Sequence, residues 1–319
     1  MRARTVVGGA VATVVVGGLA VGGVVAALHL LDVEPPVDER CVAAVDGVNT
    51  GLEPEQADNA ALVALTAVRR EMPARAATIG LATAYGESRL RNLDHGDRDS
   101  LGMFQQRPSQ GWGTVDEVQD PVYATNTFYD ALEKVDGYEE LRVTEAAWAV
   151  QRSAFPEGYQ PFADRSRAWA SALTGYSPAT LTCLLRGVAS PAAAADAVSG
   201  FTERVTRDLG DVPVEEQAAA PDDGSGAANG GEDGGDADPR ATVVVHATGF
   251  GGTGEDDAVR MSWAVAQWAV STASTTDAVA VTVDGRRWVR GEDGWVTDAA
   301  GTEELPAGSV RVDLAVATA

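Results

Sequence analysis

The sequence predicts a mainly α-helical protein in four parts: an N-terminal transmembrane helix, an all-α domain, an acidic disordered linker and a small α+β C-terminal domain. Three observations carry this. Residues 5–31 contain no Asp, Glu, Lys or Arg. Between Pro54 and Gly175 apolar residues recur at helical spacing. Past residue 240 the pattern changes to short alternating runs broken by Asp-Gly pairs, which is how hairpins read. The expected boundaries are 1–31 for the membrane helix, 32–40 for a tether and 41–185 for the all-α domain. Residues 186–217 are expected to add a helix and a linker, 218–239 the acidic linker, and 240–319 the second domain.

The first element, TVVGGAVATVVVGGLAVGGVVAALHLL, follows Arg2 and Arg4. About 20 apolar residues suffice to cross a bilayer as a helix, and the basic flank keeps the N-terminus in the cytoplasm. The expectation is a single-pass membrane protein with its domains on the extracytoplasmic side. The alternative is a secretory signal cut near Val25-Ala26-Ala27, and either way the chain beyond Leu31 is exported. The net charge of −23 repels phosphates and anionic lipid headgroups. Nucleic acid is therefore not an expected partner, and contact with the membrane is expected only through the N-terminal helix.

Residues 32–40, DVEPPVDER, read as a Pro-stiffened tether. Cys41 follows it, and the only other cysteine is Cys183. Two cysteines flanking a domain of an exported chain suggest a disulfide. Closing so long a loop would stabilise the fold by roughly 4–5 kcal/mol in the chain-entropy picture. A single cysteine pair and three scattered histidines, His29, His95 and His246, offer no metal site. No cofactor is expected.

Helices are expected over Glu55–Arg70, with Ala60, Leu62, Leu65 and Val68 on one face, and from Pro73 to Glu87, with Ile79, Leu81, Ala82 and Ala84 buried. Residues 92–113 are too polar and Gly-rich to continue a helix. Further helices are expected from Pro121 to Gly137, from Thr144 through Trp148, Val150 and Ala154 to a stop before Pro156, and from Phe162 to Gly175.

Residues 80–113 concentrate the chemistry, because a carboxylate, amides, hydroxyls, glycines and an aromatic crowd together there. Glu87 sits where a helix gives way to a polar loop. A carboxyl half enclosed by apolar side chains holds its proton above the usual range and can act as a general acid. Ser88 and Ser100 are candidates to bond Glu87 or a substrate, as against capping their own backbone. Gln105 and Gln106 could grip amides or simply satisfy the loop. Trp112 could stack on a ligand or plug the core. Asp94, Asp97 and Asp99 read first as turn formers.

Glu87-Ser88, followed by Ser100-Leu101-Gly102-Met103-Phe104-Gln105, resembles the lysozyme-like superfamily of lytic transglycosylases and lysozymes. The run GMFQQRPSQGWG is similar to membrane-anchored actinobacterial cell-wall proteins with such a domain. The resemblance spans residues 41–185. It implies an all-α domain that cleaves peptidoglycan glycan strands, with Glu87 as the single general acid and base and no cofactor. In transglycosylases one carboxylate protonates the leaving oxygen and then takes the proton of the muramyl 6-hydroxyl; lysozymes hydrolyse with a second carboxylate or a water. The resemblance also implies substrate contacts at Ser88, Ser100, Gln105, Gln106, Trp112 and Gln151. The superfamily's third segment, Ala-Tyr-Asn-Ala-Gly, falls here on Ala149-Val150-Gln151-Arg152-Ser153. Val150 has no hydroxyl, which leaves Gln151 for the asparagine and Tyr159 or Tyr123 to supply the tyrosine. An inactive glycan-binding or scaffolding protein of cell-wall remodelling is the second expectation.

Beyond Cys183, Ala192–Leu209 reads as an amphipathic helix with Val198, Phe201 and Val205 on a face. Residues 218–238 then lack any basic or large apolar residue and cannot bury enough surface to fold. In the last part, strands are expected at 241–245, 279–283, 288–290, 295–297 and 310–315, with a helix over 259–270. Trp288 and Trp295, near Arg286, Arg287 and Arg290, are either core or a binding surface. The partner of this part is unknown from the sequence.

Overall fold

The computed structural model describes residues 38–153, 155–217, 239–250, 254–297 and 305–318. The expected membrane helix at 5–31 and the acidic segment 218–238 lie outside them. No helix among the described residues is long and apolar enough to cross a membrane. From Glu39 onward the chain forms one compact unit.

The mainly α expectation does not hold. Helix makes up 45% and strand 19% of the structure, so the protein is mixed α/β, with two antiparallel sheets interleaved with helices. The region expected to be all-α begins with a hairpin, β1 (Arg40–Val45) and β2 (Val48–Leu52). Its turn is Asp46-Gly47, with φ of 50° and 77°. Two successive left-handed residues match the right-handed twist of the flanking strands, and Gly tolerates that conformation without strain. The strand β3 (Leu181–Leu184) closes a three-stranded sheet in the order β2-β1-β3, pairing Cys41 with Cys183. The disulfide between those two residues forms as expected, across paired strands.

Six helices follow the hairpin: α1 (Pro54–Arg69), α2 (Ala74–Ser88), the short α3 (Val115–Gln119), α4 (Pro121–Leu132), α5 (Val143–Gln151) and α6 (Ala163–Leu173). The α2 helix is almost wholly buried, and its Ala and Gly residues let neighbours approach closely. A Cβ at Gly80 would meet the Tyr129 hydroxyl at 2.6 Å. That hydroxyl crosses the helix to donate to Val63 O at 2.9 Å. Expected ends differ by a few residues: α4 stops at Leu132 and α5 at Gln151, well short of Pro156.

After β3 come α7 (Ala194–Leu209), β4 (Val214–Gln217), β5 (Arg240–His246), α8 (Glu255–Ser271), α9 (Ala273–Thr276) and β6 to β9 (Ala278–Val283, Arg286–Val289, Trp295–Thr297, Ser309–Ala315). The six strands run in the order β4-β5-β9-β6-β7-β8. The edge strand β4 comes from a stretch expected to be helix and linker.

This second sheet is not an independent appendage. The α8 helix packs on α1, α6 and β3 as well as on β6 and β9. Its buried Gln267 accepts from the amides of Thr180 and Leu181 and donates to Ala172 O. Of the two roles open to Trp288 and Trp295, the core one holds: they donate their indole N–H groups to Cys183 O and Leu181 O. Trp288 is fully buried. Both therefore belong to the seam with the small sheet.

Candidate functional site

The site begins where α2 ends. Arg89 and Leu90 take left-handed φ of 59° and 60°, a conformation that costs a non-glycine residue on the order of 1–2 kcal/mol. The surroundings hold the bend in place. Gln56 and Asn59 of α1 donate to the freed carbonyls of Arg89 and Leu90 at 2.7 and 2.8 Å. Ser88 Oγ donates to Met103 O at 2.7 Å and accepts from the Arg91 amide. Leu90 turns into the core. The last helical turn thus presents Glu87 beside the 101–106 loop.

Glu87 is half-buried, and the Tyr159 hydroxyl donates to its Oε1. Burial raises its proton affinity above the ordinary carboxyl range, with the tyrosine bond pulling weakly the other way. Tyr159 is itself pushed up, first by burial and then by the Glu87 charge. Of the two tyrosines that could reach the acid, Tyr159 is the one that does so. A Cβ at Gly86 would lie 2.8 Å from the Tyr159 ring. Only the bare backbone there lets the ring lie against the helix.

Tyr159 arrives on the turn that follows α5. The Ser153 side chain also reaches it. Trp148 Nε1 donates to Ser153 O, and Ser153 Oγ to Phe155 O. Trp148 is 42% and Phe155 76% exposed. Trp148 therefore does not line the core as its helical spacing suggested. Two large aromatics are thus exposed beside the acid's partner, Trp148 on α5 and Phe155 on the turn after it.

The other expected site residues divide into two groups. Ser88, Ser100 and Gln106 are buried. Ser88 ties α2 to the loop, and Gln106 donates to Ala124 O at 3.0 Å. Gln105 sits at φ 49° and donates to His95 O and Gly102 O, closing the loop on itself. The side chains of Ser88, Gln105 and Gln106 are thus bonded within the scaffold. Gln151 and Trp112, in contrast, line one open cleft of about 760 Å³ together with Gln110, Asp130, Lys134 and Arg152. Glu87 is not among its lining residues. Gln151 donates to Phe104 O at 2.8 Å, one residue from the carbonyl that accepts from Ser88, so cleft wall and acid rest on the same loop.

The three loop aspartates do not bond Glu87. Asp99 accepts from the Ser109 amide and Arg107 Nε, and these donors hold it well below the usual carboxylate range. Asp94 pairs with His95, and Asp97 with Arg98. Among the described residues no group of His, Cys, Asp or Glu could hold a metal ion.

Tyr159 was legible as one of two options, whereas Trp148 and Phe155 were missed. The signal for Phe155 was Pro156 and Gly158 beside it, which mark a turn and not a helix.

No protein-family model matches the chain, and no curated protein matches its sequence.

Proposed function

We propose that the protein is an extracytoplasmic enzyme, held to the membrane by residues 5–31, that cleaves the glycan strands of peptidoglycan in the manner of lysozyme-like lytic transglycosylases. The observation that carries the reading is Glu87: a half-buried carboxyl at a helix end, disposed to keep its proton and bonded by a tyrosine hydroxyl. The protonated carboxyl gives its proton to the glycosidic oxygen as the C1–O bond breaks and the sugar becomes cationic. The resulting carboxylate takes the proton of the muramyl 6-hydroxyl as that oxygen attacks C1, closing an anhydro ring. One carboxylate suffices for this route. The loop aspartates are engaged with other partners, which favours it over hydrolysis with a second carboxylate.

Tyr159 keeps the carboxyl oriented, while Trp148 and Phe155 offer flat faces of the kind that sugar rings cover. The disulfide supports an extracytoplasmic location. The inactive glycan-binding reading draws on the cleft lined by Trp112 and Gln151, which Glu87 does not line, and on the commitment of Ser88, Gln105 and Gln106 to the scaffold.

The test is digestion of purified peptidoglycan by the chain from Glu39 onward, beside its Glu87→Gln variant, with mass spectrometry of the products. Anhydro-muramyl ends from the wild type alone are expected. Identical products from both proteins would leave only the binding reading.

A further inference from the structure

We infer that Arg89 and Arg165 form an anion subsite next to Glu87, which receives a carboxylate carried as a substituent on the glycan. The inference deepens the reading above and takes the identity of the polymer from it. Arg165 lies over the Tyr85 ring, its Cζ 3.9 Å from the centroid, and donates to the Tyr85 hydroxyl and to Gly51 O. Arg89 lies 5.0 Å from the same ring and 4.9 Å from that of Phe162. The two rings pack at 5.1 Å. Two guanidinium groups are thus gathered on one aromatic pair.

Neither arginine forms an ion pair among the described residues, although the chain carries 47 acidic residues against 24 basic ones. Elsewhere Arg70, Arg91, Arg107, Arg142, Arg186 and Arg204 take carboxylate partners, while Arg69, Arg75 and Arg290 donate to backbone carbonyls. At this spot the two cations meet each other instead. Arg165 is held less basic by its burial and also by the charge of Arg89. Placing like charges together without a counter-ion is unfavourable, and an incoming carboxylate relieves it. Arginine's planar fork suits that group.

The position supplies the link to the acid. Tyr85, Gly86 and Glu87 lie on the last turn of α2, and Arg89 is the residue that caps it. Gly86 is exposed, and the rings of Tyr159 and Phe162 flank it, 2.8 and 3.5 Å from where its Cβ would be. The rings of Tyr159 and Phe162 thus bridge the acid and the arginine: Tyr159 bonds Glu87, Phe162 carries exposed Arg89, and both border Gly86. A polymer whose sugars carry peptide arms ending in carboxylates would meet the acid with its backbone and the arginines with its arm. A neutral glycan would use only the first half.

The test measures binding, so that it does not depend on turnover. Glu87→Gln protein is titrated with a disaccharide-tetrapeptide fragment of peptidoglycan and with the same fragment after its carboxylates are converted to amides. At least tenfold tighter binding of the carboxylate form is expected, shrinking with added salt. Adding Arg89→Glu, at an exposed position that does not endanger folding, should abolish the preference. Adding Arg89→Lys should keep part of it. Equal affinity for the two forms, or a preference unchanged by Arg89→Glu, would overturn the subsite even if the wild type cuts peptidoglycan. A preserved preference in a protein that cuts nothing would sustain the subsite and remove the cleavage reading.

Discussion

Glu87 and Asp208 are both carboxylates shielded from water, and the protein treats them in opposite ways. Asp208, at the end of α7, is fully buried yet accepts from Arg204 Nε, Arg207 Nε and Trp268 Nε1 at 2.7–2.9 Å. Arg204 goes on to grip Asp58 of α1, which also accepts from Thr275. A buried charge so fully partnered ties four helices together, α1, α7, α8 and α9, and is of little use for chemistry. Glu87 receives one hydroxyl and no cation among the described residues. The difference is one of donors: Asp208 is committed to the scaffold, whereas burial with a single donor disposes Glu87 to keep its proton.

The comparison can be broken at four points. The largest effect is expected at the acid: Glu87→Gln should lower glycan cleavage by about 10²–10⁴-fold, the usual share of a general acid-base group, measured by release of soluble fragments. At the structural pair, Arg204→Met leaves Asp58 and Asp208 without their shared cation. It should cost about 3–5 kcal/mol in denaturant unfolding while leaving the Glu87 site assembled. A loss of under 1 kcal/mol would mean that the network is not a structural joint.

Tyr159→Phe should reduce cleavage by about tenfold, the effect of one lost hydrogen bond of roughly 1.4 kcal/mol. Because the tyrosine bond lowers the proton affinity of Glu87, its removal should also shift the Glu87 limb of the pH-rate profile to higher pH. A shift to lower pH would contradict the assigned geometry.

The smallest effect concerns stability. The Glu87 carboxyl binds its proton more tightly in the folded chain than in the unfolded one. Folding stability therefore falls as pH rises from the ordinary carboxyl value of 4.5 through the raised one. The cost is fully present above that window and absent below it. Glu87→Gln removes it, so the variant should melt a few degrees above the wild type at pH 7, with the gain vanishing near pH 4. A gain that is the same at both pH values would show that ionisation of Glu87 is not its source.

The two regions also differ in how well they could be read. The helices around Glu87 were legible because their buried faces repeat at 3.6 residues, and Glu87 itself stood out by its place at a helix end. The hairpin at Arg40–Leu52 was missed despite its Asp46-Gly47 turn, because its strands are short, one with two alanines and the other with a glycine and an asparagine, and neither alternates strongly in sequence. The scaffold roles of Ser88, Gln105 and Gln106 were invisible for another reason. Their partners Met103, His95 and Ala124 lie 10 to 18 residues away, beyond the reach of local pattern.

What the sequence determined by itself was local and covalent. Periodicity placed most helices and the strands after residue 240, the two cysteines paired, and a carboxyl was set at the junction of helix and loop. The tertiary structure decided which groups face one another. It brought Tyr159 across 72 residues to Glu87 and packed the second sheet onto the first through α8 and two tryptophans. It also left Arg89 and Arg165 together without a counter-ion among the described residues. Backbone preferences act over a few residues, whereas the surroundings of a charge are set by whatever the folded chain carries next to it.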